Sequence, residues 1–188
     1  MFVITAAIAA TLLPPPSSDL ATQFGRTCAA AKSKAGLVAA LGKEGWKPYA
    51  TVAESHVARE IAAVTPMLEA QGLASDYTIY WLEGAGAHLE VAISETKKPL
   101  RDDHKLIGCS MYDFTRVGPI DDAELAILVH NIAGQKSSLA DVSVEKWESV
   151  FGPGSGMRAV FVPTDSPMKD QLGFAGMMLG SHFLDGAN

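Results

Sequence analysis

The sequence predicts an α+β fold, in which a mostly antiparallel sheet packs against N-terminal and central helices. Apolar residues recur at helical spacing in the first third of the chain, and they alternate at a spacing of two in later segments. In addition, 48% of the 188 residues are hydrophobic, which is enough to bury one substantial core. Residues 17–188 are therefore expected to form a single α+β domain.

The first thirteen residues, MFVITAAIAATLL, carry no charged side chain and run into PPPSS. This run is shorter than the roughly 20 residues of a membrane span, and it is typical of a signal-peptide core. Residues 1–16 are therefore predicted to be a signal-like apolar segment and proline linker, with no stable transmembrane anchor after processing. Because the basic residues that usually begin a signal are missing, the alternative is a short apolar strand or helix packed on the domain.

Helical spacing predicts a first helix directly after the proline linker. Ser17 or Ser18 is expected to cap it, since a serine hydroxyl can accept a backbone N–H of the first turn. Leu20, Phe24 and Cys28 follow at steps of four and share one face. A helix buries its apolar face, so Cys28 is predicted to point into the core.

Two further helices are expected before the first strands. Residues 34–45 form the second, which ends at a glycine suited to a helix C-terminus. Its apolar face comprises Leu37, Val38 and Leu41. Residues 54–72 continue the helical spacing, although Pro66 is expected to kink or divide this third helix because proline lacks an N–H.

The middle of the chain predicts three consecutive strands. Residues 77–83 and 88–94 alternate apolar and polar side chains around a glycine-containing turn, which is typical of a β-hairpin. Residues 106–114 follow a charged loop and form the third strand. Later, residues 157–164 and 173–184 have the composition of strands as well.

A fourth helix is predicted between the third strand and these later ones. Asp121 or Asp122 can cap it, and an apolar stripe follows at helical spacing. The stripe comprises Leu125, Leu128, Val129 and Ile132. Helix and strand predictions together give the α+β layout stated above.

The chain contains two cysteines, Cys28 and Cys109. Strand alternation places Cys109 on the apolar side with Ile107 and Met111, so both thiols point inward. A helix packed on a sheet can bring two such Cβ atoms within the roughly 3.5–4.5 Å that a disulfide needs. We therefore predict a disulfide, and with it an oxidising compartment. The alternative is two buried thiols acting as small hydrophobes.

Three short stretches of the chain carry a resemblance to known proteins. FGRTC in the first helix, GW after the second helix and GCSMYDF in the third strand resemble small uncharacterised exported proteins of alphaproteobacteria. The likeness covers most of the chain. It implies export, and it implies no activity, cofactor or catalytic residue.

Two groups of polar residues are candidates for chemistry. His88 and Glu90 share a strand face, and the predicted turn sets Glu83 opposite His88, so these side chains can bind a metal ion. The interpretation that we favour is a solvated cross-strand charge pair on the polar face, so no metal site is predicted. The second group lies in a charged loop and comprises Asp102, Asp103 and His104. It lacks the spacing of a calcium loop, which favours an ordinary surface.

Other features exclude function classes or leave them open. A net charge of -6 disfavours nucleic acid as a partner, and no glycine-rich motif has the strand-then-helix context of a cofactor loop, so no cofactor is predicted. His56 and His182 have no evident partner, and His130 lies on the polar side of the fourth predicted helix. Four methionines near the C-terminus suit either a pliable groove or core gaps. They are Met157, Met168, Met177 and Met178.

These observations predict an exported protein, periplasmic or secreted, that is a non-catalytic binding or envelope-associated module. Its partner would be a protein or a small apolar ligand. The competing class is a hydrolase or metal-dependent enzyme that uses His88 and Glu90 or the 102–104 loop. An enzyme should show a concave pocket in which these polar groups meet, whereas a binding module should show an apolar groove or an exposed patch of several hundred Å². A purely structural envelope component is the third possibility.

Overall fold

The structure is a computed structural model that describes residues 19–84, 87–100, 103–129, 134–152 and 155–185. Its strands are β1 (Lys47–Pro48), β2 (Ser75–Gly84), β3 (Ala87–Thr96), β4 (Leu106–Asp113), β5 (Gln135–Leu139), β6 (Val142–Glu148), β7 (Gly156–Val162) and β8 (Gly176–Leu184). They form one sheet in the order β1-β2-β3-β4-β8-β7-β6-β5, and every pair of neighbours is antiparallel. The predicted α+β class and antiparallel sheet are confirmed. The predicted signal-like segment, residues 1–16, lies outside the described residues.

The helices of the described ranges are α1 (Leu20–Arg26), α2 (Lys34–Lys43), α3 (Ala58–Ala70), α4 (Asp122–Val129) and α5 (Lys169–Leu172), with a 3-10 turn at Val52–Glu54. Asp19 caps α1 by accepting the N–H of Thr22, so the predicted serine cap is wrong. Cys28 lies just past the end of α1 and not within it. No helix among the described residues is long and apolar enough to cross a membrane.

The structure also bears on two other expectations about the helices. Pro66 lies inside α3 without dividing it. The hydrogen bond that Pro66 cannot donate would have gone to Ala62, and both residues are exposed, so water can satisfy the released carbonyl. Val38 was expected in the core but is 38% exposed, while Leu37 and Leu41 are fully buried.

Successive residues of each strand alternate between the two faces of the sheet. We call the side that carries Ile107, Cys109 and Met111 the disulfide face, and the side that carries Gly108 and Ser110 the groove face. The larger buried cluster combines the disulfide face with apolar residues of α1, α2 and α4. The smaller cluster combines part of the groove face with residues next to α3 and α5.

The predicted disulfide is confirmed. Cys28 and Cys109 are bonded, their Cα atoms are 5.6 Å apart, and 81 positions separate them in the chain. Both are buried within the cluster of the disulfide face, as predicted, although Cys28 reaches it from the turn after α1. The bond ties the segment after α1 to the middle of the sheet.

Candidate functional site

Glu90 is a fully buried carboxylate on the groove face of β3, 0% exposed. Its Oε1 accepts a hydrogen bond from the Tyr49 hydroxyl at 2.7 Å. Both carboxylate oxygens accept the backbone N–H of His56, at 3.1 and 3.0 Å, and Oε2 also accepts the N–H of Val57 at 3.3 Å. Val57 precedes the first residue of α3, so Glu90 caps this helix from the sheet, where the helix dipole favours negative charge.

The hydrogen bonds to Glu90 keep it ionised despite its burial. Burial alone would raise the pKa of Glu90, but hydrogen bonds from Tyr49, His56 and His88 outweigh it and lower the pKa. The reciprocal effect falls on Tyr49, whose pKa is raised by its own burial and by the neighbouring carboxylate. The site therefore contains a stable buried negative charge.

Two imidazole rings reach the same carboxylate oxygen. His56 Nδ1 lies 2.6 Å and His88 Nε2 lies 3.1 Å from Glu90 Oε1. The His56 and His88 side chains are 65% and 28% exposed, whereas that of Glu90 is inaccessible. The buried charge therefore lies beneath two partly exposed rings. One nitrogen from each ring and one Glu90 oxygen lie within 4.8 Å of one another.

Aromatic neighbours and Glu83 position these rings. His88 stacks on Trp81 with ring centroids 6.3 Å apart, and His56 lies 5.4 Å from the ring of Phe114. Glu83 pairs with His88 across the hairpin, as predicted, and its Oε1 is 3.8 Å from His88 Nδ1. The interpretation as a solvated charge pair is wrong for Glu90, because Tyr49 and the start of α3 cover it.

The second predicted group lies elsewhere. Asp102 is outside the described residues, Asp103 is exposed, and His104 Nδ1 donates to the carbonyl of Asp185 at 2.8 Å. His104 precedes β4, whereas Glu90 pairs with Tyr112 near the far end of that strand. Six strand residues separate the two ends, which is about 20 Å. The structure therefore does not bring Asp103 and His104 to His88 and Glu90.

A groove with a volume of about 410 Å³ lies on the groove face, toward the end of the sheet where β4 begins. Its floor consists of small residues from four neighbouring strands, Ser94, Gly108, Ser110, Gly156 and Gly180. One wall is apolar and is formed by Leu68, Leu73 and Leu106. A Cβ atom at Gly156 would come within 2.6 Å of the His182 ring, so glycine is needed there for the ring to lie over the strand. None of Glu83, His88 and Glu90 lines this groove.

Two cations face each other in the groove. Lys146 on β6 and Arg158 on β7 are directly opposite in the strand register, and both line the groove. Like charges in this position destabilise a sheet. Within the described ranges neither side chain makes a hydrogen bond or ion pair, and Glu148 is the acidic residue of the lining. Burial lowers the pKa of His182, against the charge of Glu148, so His182 adds no further cation at neutral pH.

A buried acid, Glu60, interacts electrostatically with Arg158 of the groove lining. Glu60 in the first turn of α3 is 7% exposed, and burial raises its pKa to about 7 against a hydrogen bond from Tyr112 and the charge of Arg158. Its Oε2 has no hydrogen-bond partner among the described residues. Tyr112 also interacts with Ser110 of the groove floor. The groove is therefore adjacent to a group that titrates near neutral pH.

Sequence reasoning missed several of these residues. His56 was interpreted as lacking a partner, and Tyr49 was not singled out, because both reach Glu90 from segments remote in the chain. Of the four methionines, Met157, Met177 and Met178 are buried in the cores, and Met157 also borders the groove. A signal that could have revealed the groove is the alternation of glycine and serine on one face of β4. His130 lies outside the described residues.

The arrangement supports two kinds of chemistry at separate places, a cationic groove and a histidine–carboxylate cluster. The resemblance to exported alphaproteobacterial proteins stays a prediction, and the function has to be argued from these sites. No protein-family model, curated protein or solved structure matches the chain.

Proposed function

We propose that this chain is an exported, disulfide-stabilised binding protein that holds a small organic anion with an apolar tail in the groove. The observation that carries the proposal is the facing pair Lys146 and Arg158 in a cavity of about 410 Å³. A carboxylate or similar anion placed between the two cations would offset their repulsion. Arg158 can also donate two parallel hydrogen bonds to such a group.

The rest of the groove fits the remainder of such a ligand. Leu68, Leu73 and Leu106 offer an apolar wall for a short hydrocarbon chain, and the hydroxyls of Ser94 and Ser110 offer hydrogen bonds near its head. The volume falls within the roughly 300–1,000 Å³ typical of small-molecule sites. Small floor residues give the ligand access to the sheet itself.

The location of the polar groups supports binding over catalysis. A hydrolase would need its general base and nucleophile to converge on the bound substrate. His88 and Glu90, the residues that an enzyme of this chain would use, lie outside the groove lining. The groove has two cations, one carboxylate at Glu148 and apolar surface, which suffice to recognise a ligand.

Export to the periplasm or beyond is part of the same proposal. The buried bond between Cys28 and Cys109 is compatible with an oxidising compartment, and the sequence of residues 1–16 suits a signal peptide. A mass measurement on protein from the native host, with and without reductant and alkylating agent, tests this part. We expect loss of the apolar segment and alkylation only after reduction. Retention of residues 1–13 together with two reactive thiols would contradict export.

Ligand binding is tested with the fluorescent anion 1-anilinonaphthalene-8-sulfonate and its displacement by decanoate. Replacing Arg158 or Lys146 by Gln removes a charge-assisted contact, for which we expect about 10- to 100-fold weaker binding of the dye. Lys98→Gln is the matched control, because Lys98 is exposed in a loop away from the groove lining. Decanol should displace the dye much less than decanoate. Equal displacement by both, or unchanged binding in the Arg158 and Lys146 variants, would overturn the proposal.

A further inference from the structure

We infer that His56, His88 and Glu90 form a site for one divalent transition-metal ion, separate from the groove. Two imidazoles and a carboxylate are the donor set that Zn²⁺ and its neighbours Ni²⁺ and Cu²⁺ accept. The three candidate donor atoms lie within 4.8 Å of one another and come from two separate parts of the fold. His88 and Glu90 are on β3, and His56 is at the start of α3.

The structural role of Glu90 does not require either imidazole. Tyr49 and the backbone N–H groups of His56 and Val57 already give its carboxylate three hydrogen-bond donors, and the backbone contacts cap α3. The His56 ring is 65% exposed and could be solvated instead, yet its Nδ1 is directed at the buried oxygen. The two rings are thus in excess of what is needed to hold the helix on the sheet.

The spacing of the donors fits a tetrahedral ion with little movement. Ligand atoms of a tetrahedral Zn²⁺ site are about 3.3 Å apart, given metal–ligand bonds of about 2.0–2.1 Å. The two nitrogens lie 2.6 and 3.1 Å from Glu90 Oε1, so each has to move away from this oxygen by less than about 1 Å. All three donor atoms lie within 4.8 Å of one another, so the two nitrogens need at most a shift of about 1.5 Å relative to each other. The exposed His56 ring has room to do so. Three protein ligands leave a fourth position toward solvent.

Neighbouring groups supply the support that metal-binding histidines usually have. Glu83 Oε1 lies 3.8 Å from His88 Nδ1, the nitrogen that faces away from Glu90. In the free protein His88 Nε2 carries the proton that is donated to Glu90, and on metal binding a carboxylate near Nδ1 would favour the tautomer whose Nε2 lone pair binds the ion. Trp81 and Phe114 pack beside the two rings and restrict their rotation. The Tyr49 hydroxyl, 3.4 Å from His88 Nε2, adds a polar contact on the inner side.

The test is a titration of chelator-treated, full-length protein with Zn²⁺ by calorimetry and with Co²⁺ by visible absorption. We expect one ion per chain and the intense absorption of a tetrahedral cobalt centre. His56→Ala and His88→Ala should each weaken binding about 100-fold or more. His56→Ala keeps the backbone N–H that Glu90 accepts, so circular dichroism and urea unfolding should confirm an intact fold.

His182→Ala is the matched control, because it removes a histidine from the groove and leaves the cluster unchanged. Its metal affinity should equal that of the unmodified chain. Failure of the unmodified chain to take up a stoichiometric ion, or uptake that survives both cluster variants, would overturn the inference. Either result leaves displacement of the dye by decanoate unaffected, so failure here is distinguishable from failure of the proposed function.

Discussion

The two faces of the central strands have opposite compositions. On β4 the disulfide face carries Ile107, Cys109 and Met111, each 0% exposed, whereas the groove face of the same strand carries Gly108 and Ser110. A one-residue step along the backbone therefore separates the core from the candidate sites. Strand alternation thus lets one sheet place the main core on one side and the candidate sites on the other.

This separation has an energetic basis. Burying one large aliphatic side chain stabilises a fold by about 1.5–3 kcal/mol, and the disulfide face collects many of them. On the groove side, the carboxylates of Glu60 on α3 and Glu90 on β3 are buried instead, and they cost free energy unless neighbouring donors compensate. Changes on the disulfide face should therefore alter stability alone, while changes on the groove face should alter binding or pH dependence too.

The largest expected effect on stability comes from removing the disulfide bond of the disulfide face. Replacing both Cys28 and Cys109 by Ala releases a loop of 81 positions, for which chain entropy predicts a loss of about 4.5 kcal/mol in the free energy of unfolding. Urea unfolding measures the loss. Dye binding by the remaining folded protein should not change, because the groove is on the other face. Loss of dye affinity with little loss of stability would contradict the division between faces.

The next effect tests whether the groove face also holds the fold together. Glu90→Ala leaves Tyr49 and two backbone N–H groups without their buried acceptor, so we expect a loss of about 3–5 kcal/mol in urea unfolding at pH 7. Glu83→Ala is the control, since the Glu83 side chain is 73% exposed and its ion pair is worth little. Similar effects of the two changes would show that Glu90 is not the anchor of α3.

Much of the fold could be predicted because local spacing reports which face of an element is buried. The hairpin of β2 and β3, the strand β4 and the apolar stripe of α4 all follow from such spacing. The edge strands escaped prediction for a physical reason. β1 has two residues and β5 is exposed at all five positions, so neither has an apolar face to reveal it.

The candidate sites were predicted less completely, because their parts meet only in three dimensions. The disulfide was foreseen since each cysteine lay on a recognisable apolar face. His56 contacts Glu90, which is 34 positions away in the chain, and no local sequence pattern near His56 predicts this contact. The facing of Lys146 and Arg158 depends on the register of β6 against β7, which alternation alone does not determine.

A third prediction concerns Glu60 on the groove side of the sheet. Its folded pKa of about 7 exceeds the ordinary value of 4.5, so the folded state binds the proton more tightly than the unfolded state does. This contribution to stability is fully present below pH 4.5 and is lost as the pH rises through 7. Glu60→Gln should therefore raise the stability relative to the unmodified chain at pH 8, by about 3 kcal/mol more than at pH 4.5.

Urea unfolding at both pH values measures this difference. Glu69→Gln, on the exposed side of the same helix, is the control and should leave the difference between the two pH values unchanged. A Glu60→Gln effect that is equal at both pH values would show that the fold does not raise the pKa of Glu60, and this prediction would be wrong.

The smallest expected effect on stability is that of Lys146→Gln, which tests whether Lys146 serves ligand binding or the stability of the fold. If Lys146 only repels Arg158 in the free protein, Lys146→Gln should stabilise the fold by about 0.2–1 kcal/mol at low salt, and added salt should reduce the gain. The same change should weaken dye binding, whereas Lys98→Gln should change neither quantity. Opposite signs for stability and affinity are expected of a residue kept for recognition at a cost in stability. A loss of stability would instead show that Lys146 makes a favourable contact in the free groove, and the argument for an anion between the two cations would fail.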